Sequence, residues 1–256
     1  PADAFGGWDR EAPNPGRDRL AFEELLTHRL SLRRLREDSD AQAAPQFVGE
    51  NQLLRGFVAN LPFELTGGQR RAFAEISDDL ARPTPMLRLL QGDVGSGKTV
   101  VAALSALRAI DAGYQVALMA PTEILAEQHA INFRAWFSPL GVEVGWHSGK
   151  QKGKPRAEQL ARVASGECQI LVGTHALFQG EVEYAKLGLI IIDEQHRFGV
   201  KQRAKLWKKS APYPPHVLVM TATPIPRTMA MTTYGDLDLS VIDELPPGRK
   251  PVTTVH

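Results

Sequence analysis

A single cysteine, Cys168, in 256 residues leaves no partner for a disulfide and suits a reducing compartment. It lies in the apolar run CQILVG, the setting of a buried structural thiol and not of a reactive one. No apolar run approaches the ~20 residues of a spanning helix. The first residues, PADAFGGWDREAPNPGRDR, carry Asp, Pro and Gly where an export signal would be basic and then apolar. A soluble cytoplasmic protein with no membrane partner is therefore expected. The histidines form no His-x-x-x-His pair and have no cysteine beside them, which argues against zinc. Gly-x-Ser-x-Gly is also missing, so no nucleophile elbow points to acyl transfer. Net charge is only +1, without the overall basic bias that nucleic-acid binders usually show. There is no internal repeat and no low-complexity tract.

What remains is the composition of a globular α/β chain: 43% apolar and 23% charged residues. Residues 1–19 read as an irregular lead-in rich in Pro, Gly and charge. An amphipathic helix is expected over Leu20–Leu35, with Leu20, Phe22, Leu25, Leu26 and Leu30 on its stripe. Its simplest role is packing on a neighbour. A short helical patch follows at Gln52–Asn60 and ends at Pro62. We place the boundary there: 1–62 as lead-in and helical connector, 63–256 as the main domain. Beyond Thr66, apolar strands alternate with helices. Strands are expected at Met86–Gln91, Gln115–Ala120, Val142–His147, Gln169–Gly173, Leu187–Asp193 and Val217–Thr221. Helices are expected at Gly97–Ala112, Glu123–Trp136, Lys154–Ser165 and Gly199–Lys209. This alternation predicts a doubly wound parallel sheet covered on both faces.

GDVGSGKT, from Gly92 through Asp93, Val94, Gly95, Ser96, Gly97 and Lys98 to Thr99, fits a phosphate-binding loop between a strand and a helix. The glycines let backbone N–H groups wrap a phosphate, and the following helix adds its positive end. Lys98 supplies a charge to the β- and γ-phosphates, and the Thr99 hydroxyl is a Mg²⁺ ligand. IIIDE ends an apolar strand with Asp193 and Glu194, where the carboxyl edge of a parallel sheet holds ligands. Asp193 would belong to the Mg²⁺ shell, and Glu194 would take the proton of the attacking water. ATP and Mg²⁺ are the expected cofactors.

Other segments select among P-loop proteins. Gln69, in LTGGQRRAF, has the amide that reads an adenine edge, and Phe63 offers a stacking face. Thr66 as the cap of a polar helix explains the same residues equally well. APTEILAEQH places Pro121, Thr122 and Glu123 after the second strand, where Thr122 can also be only a helix cap. VGTHALFQ ends the fourth strand with Gly173, Thr174 and His175, which offer donors to phosphates. MTATPIPRT follows the sixth strand with Thr221, Ala222 and Thr223. Two basic clusters, Lys150, Lys152, Lys154 and Arg156, then Arg197, Lys201, Arg203, Lys205, Lys208 and Lys209, read first as solvated faces.

This ordered set resembles the superfamily two helicases and translocases. Together with VGWHSGKQKGK, IIDEQHRFGVKQR and DLDLSVIDELPPGRKPVTT, it resembles the RecG family of fork-regressing and branch-migrating bacterial enzymes over about residues 20–256. The related transcription-repair coupling translocases share TATPIPRT and RFGV, and usually carry another acid and Gln where this chain has Gln195 and His196. The resemblance implies a RecA-like first motor lobe acting on forks and Holliday junctions. Gln195 and His196 would relay nucleotide state to Thr221, Ala222 and Thr223. Pro121, Thr122 and Glu123, with Gly173, Thr174 and His175, would track a DNA backbone, and Arg197 would couple DNA or an adjoining domain. A second motor lobe with an arginine finger and a wedge domain are the implied partners within one polypeptide. Single-strand-binding protein is a candidate external partner, and a monomer is expected. From these residues alone we expect weak ATP binding, very slow hydrolysis and no strand separation. The motor lobe of a transcription-repair coupling translocase is the alternative within the class; a non-motor nucleotide switch and a catalytically silent docking lobe are the alternatives outside it.

Overall fold

Runs of Val, Leu and Ile that are buried on both sides assemble seven strands into one sheet. In the computed structural model they are β1 (Leu87–Gly92), β2 (Gln115–Met119), β3 (Val144–His147), β4 (Ile170–Gly173), β5 (Leu187–Asp193), β6 (His216–Thr221) and β7 (Asp238–Ile242). Their order is β3-β4-β2-β5-β6-β1-β7, and every neighbouring pair is parallel. The structure describes residues 16, 18–27, 30, 42–149, 153–178, 181–193, 213–223 and 237–244. The helices are α1 (Gln52–Asn60), α2 (Gly67–Leu80), α3 (Lys98–Asp111), α4 (Glu123–Phe137) and α5 (Lys154–Ala164). The doubly wound α/β class expected from the alternation is the observed one, and all six expected strands form with ends shifted by at most two residues.

Alternate residues of each strand feed two separate cores, as the period-two geometry requires. Leu189, Ile191, Leu218 and Met220 join the core under α1 to α4, while Ile190, Ile192, Val217 and Val219 join the one that holds Val163 of α5. Each fully buried Leu or Ile contributes roughly 1.5–3 kcal/mol. Cys168 belongs to the second core, and burial pushes its thiol up to about 11, in keeping with a structural role. The first core extends upstream of residue 63: Phe47 and Phe57 are buried in it together with α3.

His216 anchors this upstream segment to the sheet. Its Nδ1 accepts the Met86 N–H at 2.9 Å and its Nε2 donates to the Pro45 carbonyl at 2.6 Å. Phe47 packs edge-on against the ring, 4.7 Å between centroids. Burial lowers this imidazole to about 4, so it is neutral at ordinary pH.

Two expectations come out differently, and a third falls outside the described residues. β7 was not among the expected strands; its mixture of Asp, Ser and apolar residues suits an edge strand that is only partly covered. Residues 18–27 are helical as expected, but Leu20, Phe22, Leu25 and Leu26 are 44–68% exposed, so the described residues do not provide the packing neighbour. The helix expected at Gly199–Lys209 lies outside the described residues.

Candidate functional site at the carboxyl edge of the sheet

Parallel register brings the ends of the strands to one edge. Gly92 of β1 is level with Ile242 of β7, Gln91 with Thr221 of β6, and Asp193 of β5 with Met220. Between β1 and α3 the chain makes the tight loop expected from GDVGSGKT. Gly95 and Gly97 have φ of 79° and 88°, a region in which side chains are strained. The Ser96 N–H donates to the Asp93 carbonyl at 3.0 Å, and the Asp93 carboxylate accepts the Val94 N–H at 2.7 Å. No side chain caps the start of α3. The Ser96 hydroxyl is buried without a hydrogen-bond partner. Lys98 bends back, its Nζ donating to the carbonyls of Gly92 at 2.8 Å and Asp93 at 3.1 Å. Uncapped donors, a buried hydroxyl and an ammonium around one loop fit a phosphate chain.

Of the two roles that its sequence context left open, Gln69 fills the capping one, and it also reaches the loop. It completes a capping box: its backbone N–H donates to Thr66 Oγ1 at 3.2 Å, and its Oε1 accepts the Thr66 N–H at 3.0 Å. Its Nε2 donates across to the Ser96 carbonyl in the loop at 2.9 Å. A Cβ on Gly97 would lie 2.2 Å from Gln69 Nε2 and would sit on a backbone with φ of 88°, so a side chain there is strained and displaces the Gln69 amide. One amide hydrogen and one carbonyl lone pair of Gln69 remain for a ligand. Phe63 is half exposed and lines an open pocket of about 420 Å³ with Val58, Leu61, Pro62, Leu65 and Arg70.

Asp193 ends β5 with its carboxylate mostly buried, and it has a partner that the sequence did not suggest. His129 of α4 places Nε2 2.6 Å from Asp193 Oδ2. The imidazole packs edge-on near Phe133 and its Nδ1 is buried without a partner. The signal available in the sequence is its spacing: His129 shares the buried face of α4 with Ala126, Ala130 and Phe133. No group of three or more His, Cys, Asp and Glu side chains that could hold a metal occurs among the described residues. Glu194, Gln195, His196 and Arg197 lie outside the described residues.

The other half of the edge carries the segments expected to meet a nucleic acid. Pro121 and Thr122 are exposed, and Thr122 caps α4 by accepting the Leu125 N–H at 3.3 Å. The Glu123 carboxylate accepts Ser148 Oγ at 3.2 Å and the Gly149 N–H at 3.1 Å, tying α4 to the turn after β3. Gly173 ends β4 where a Cβ would lie 2.7 Å from the His147 carbonyl, and His175 is exposed in the following turn. The Thr174 carbonyl accepts the Leu177 N–H at 3.0 Å and closes that turn. At the end of β6, Thr221 is buried and its hydroxyl accepts the Thr223 N–H at 3.2 Å, with Ala222 between them.

The model of the DEAD/DEAH box helicases matches residues 66–232, from the Thr66 cap through the segment after β6. The chain belongs to the DEAD/DEAH box helicase family. Within this helicase family, it is 61% identical over 244 residues to the ATP-dependent DNA helicase RecG of Escherichia coli K12, covering 94% of this chain and 35% of that protein. Identity to the RecG helicase of Haemophilus influenzae is 58% over 247 residues, 96% of this chain and 36% of that one. For Aquifex aeolicus it is 50% over 236 residues, 92% and 30%. A solved structure of RecG bound to a three-way DNA junction superposes with a TM-score of 0.80 at 43% identity, covering 92% of this chain and 31% of the other. The UvsW helicase of bacteriophage T4 shares the fold, with a TM-score of 0.52 at 16% identity over 79% of this chain and 64% of its own. The chain spans about a third of the length of the curated helicases it matches.

Proposed function

We propose that this chain is the first, ATP-binding motor lobe of a RecG-type DNA helicase that remodels branched DNA. The observation that carries it is the convergence, on one sheet edge, of a phosphate loop, a carboxylate and the exposed residues that follow β2 and β4, in a chain this similar to RecG. In this reading Lys98 releases the Gly92 and Asp93 carbonyls and moves onto the β- and γ-phosphates. Gln69 stays hooked to the loop and turns its remaining hydrogen and lone pair to the adenine edge, with Phe63 as an apolar face beside it. Thr99 and Asp193 hold Mg²⁺, which would neutralise charge on the phosphate oxygens. Glu194 accepts the proton of the attacking water. Gln195 and His196 pass the state of the site to Thr221, Ala222 and Thr223, and Arg197 passes it to DNA or a neighbouring domain.

Pro121, Thr122 and Glu123, with Gly173, Thr174 and His175, track the DNA backbone without reading bases, so binding is sequence-independent. The whole protein then carries a second motor lobe and a wedge domain, acts on forks and Holliday junctions in recombination and repair, and works as a monomer in the bacterial cytoplasm. Single-strand-binding protein is the external partner that this reading names. ATP titration of the chain, with Lys98→Ala as the comparison, tests the core of it. Wild type should bind and the variant should lose about tenfold or more in affinity, as expected when a charged contact to phosphate is removed. Equal affinity of the two proteins would refute the nucleotide reading.

A further inference from the structure

Edge strand β7 does more than widen the sheet. Its last residue, Ile242, is buried and level with Gly92, where a Cβ on Gly92 would lie 3.2 Å from Ile242 Cβ and 2.5 Å from Ser96 Oγ. The two acids that follow turn onto the first residues of α2. Asp243 Oδ1 pairs with Arg71 NH2 at 2.5 Å and Glu244 Oε1 lies 3.4 Å from Arg71 NH1. The Glu244 carboxylate also accepts backbone N–H groups at the start of α2. The N–H of Gly68 foremost, then Arg71 and the N–H of Gly67, hold it below the usual carboxylate range.

The sequence Gly67-Gly68 leaves room for this contact: a Cβ would meet Glu244 Oε1 at 3.0 Å from Gly67, and Asp243 Oδ1 at 3.2 Å from Gly68. One residue further along α2 is Gln69, whose Nε2 reaches Ser96. Farther from the site, β7 is tied to α2 again. Arg88 of β1 donates to Asp79 Oδ2 at 2.8 Å and to Ser240 Oγ at 2.9 Å, and Ser240 in turn donates to Glu75. Arg88 and Asp79 are both nearly buried, so this second tie is stiff.

We propose that the end of β7 is a positioning element of the nucleotide site: Ile242 sets the entrance of the phosphate loop, and Asp243 and Glu244, through Arg71 and the glycine pair, set the helix start that carries Gln69. None of the three touches the nucleotide. They act on base recognition, because Gln69 must meet an adenine edge and the phosphate loop at once, and a small rotation of the α2 start breaks that geometry. The proposal rests on the assignment of Gln69 to the adenine.

The test is competition against a ribose-labelled fluorescent ADP bound to the 256-residue chain, with ATP, GTP and tripolyphosphate as competitors. Gln amide geometry matches adenine and opposes the two acceptors of guanine, so wild type prefers ATP. An Asp243→Ala/Glu244→Ala double variant and a separate Arg71→Ala variant should each reduce the ATP-over-GTP preference by roughly twofold to fivefold, the range that exposed ion pairs at a helix start reach. Competition by tripolyphosphate should stay unchanged, which a general loss of structure would not allow. These side chains are exposed, and matching thermal melts verify that each variant is folded.

Gln69→Ala separates the two ideas. If Gln69→Ala abolishes the preference while both clamp variants retain it, the clamp is refuted and the base assignment stands. If wild type shows no preference, or Gln69→Ala keeps it, the base assignment falls and the positioning proposal falls with it. A loss of tripolyphosphate competition equal to the loss of ATP competition also overturns the proposal, because the phosphate loop itself would then have moved.

Discussion

At the residue scale, the short contact between His129 and Asp193 alters how the carboxylate is understood. A lone aspartate at a strand end can rotate; one held by an imidazole at 2.6 Å presents its other oxygen in a fixed direction. Partners that orient a metal ligand are typically worth 10- to 100-fold in metal affinity. His129→Ala is therefore expected to weaken nucleotide binding about tenfold in the presence of Mg²⁺ and to leave binding in EDTA unchanged. Isothermal titration under both conditions measures this, and an equal loss in both would assign His129 to packing alone. Glu194→Gln belongs to the same scale. It should lower ATP turnover of the whole enzyme by about 10²–10⁴ while ATP still binds, the range for removing a general base. A filter-binding assay beside a phosphate-release assay shows whether the bound nucleotide remains ATP.

At the scale of elements, helices are tied to strands by side chains distant in sequence. The capping box of α2 was legible in LTGGQ, because Thr followed three residues later by Gln is a local signal. The contact of the same Gln69 with Ser96 was not legible, since it depends on how α2 crosses α3 and β1. His216 is a similar case. It is the first residue of β6, yet both its nitrogens serve segments more than a hundred residues upstream. Its folded value near 4 lies below the ordinary 6.5, so the unfolded chain takes up a proton first as pH falls. The stabilisation is whole above about pH 6.5 and is lost toward pH 4. From pH 7.5 to 5.0 the loss amounts to about 2 kcal/mol. Urea unfolding at the two pH values should show it in wild type, and His216→Gln should lack that part of the pH dependence. If the variant lost stability over this range as wild type does, the imidazole would not be its source.

At the scale of the whole molecule, the proposed function makes the described residues one wall of a nucleotide site. In P-loop motors an arginine offered from outside the lobe raises turnover by about 10³–10⁵. The proposed motor therefore predicts ATP hydrolysis by this chain at least about a thousandfold below that of a protein with both lobes. It also predicts no stimulation of the isolated chain by forked DNA. A coupled ATPase assay on the two proteins, with and without a fork, decides the matter; strong DNA-stimulated turnover by the 256 residues alone would contradict it.

The doubly wound class, the phosphate loop and the carboxylate at the end of β5 were all readable along the chain. Each is a local pattern: strand and helix periods, glycines at fixed spacing, an acid at the end of an apolar run. β7 escaped because an edge strand buries too little to need a clear apolar pattern, and its Asp238, Leu239 and Ser240 look like a loop. The three contacts that give the site its geometry also lay beyond local pattern: Gln69 with Ser96, His129 with Asp193, and Arg71 with Asp243 and Glu244. Each joins elements separated in sequence, so it exists only once the parallel register has set the strand ends side by side. The chemistry was written in the residue types, and its direction and spacing came from packing.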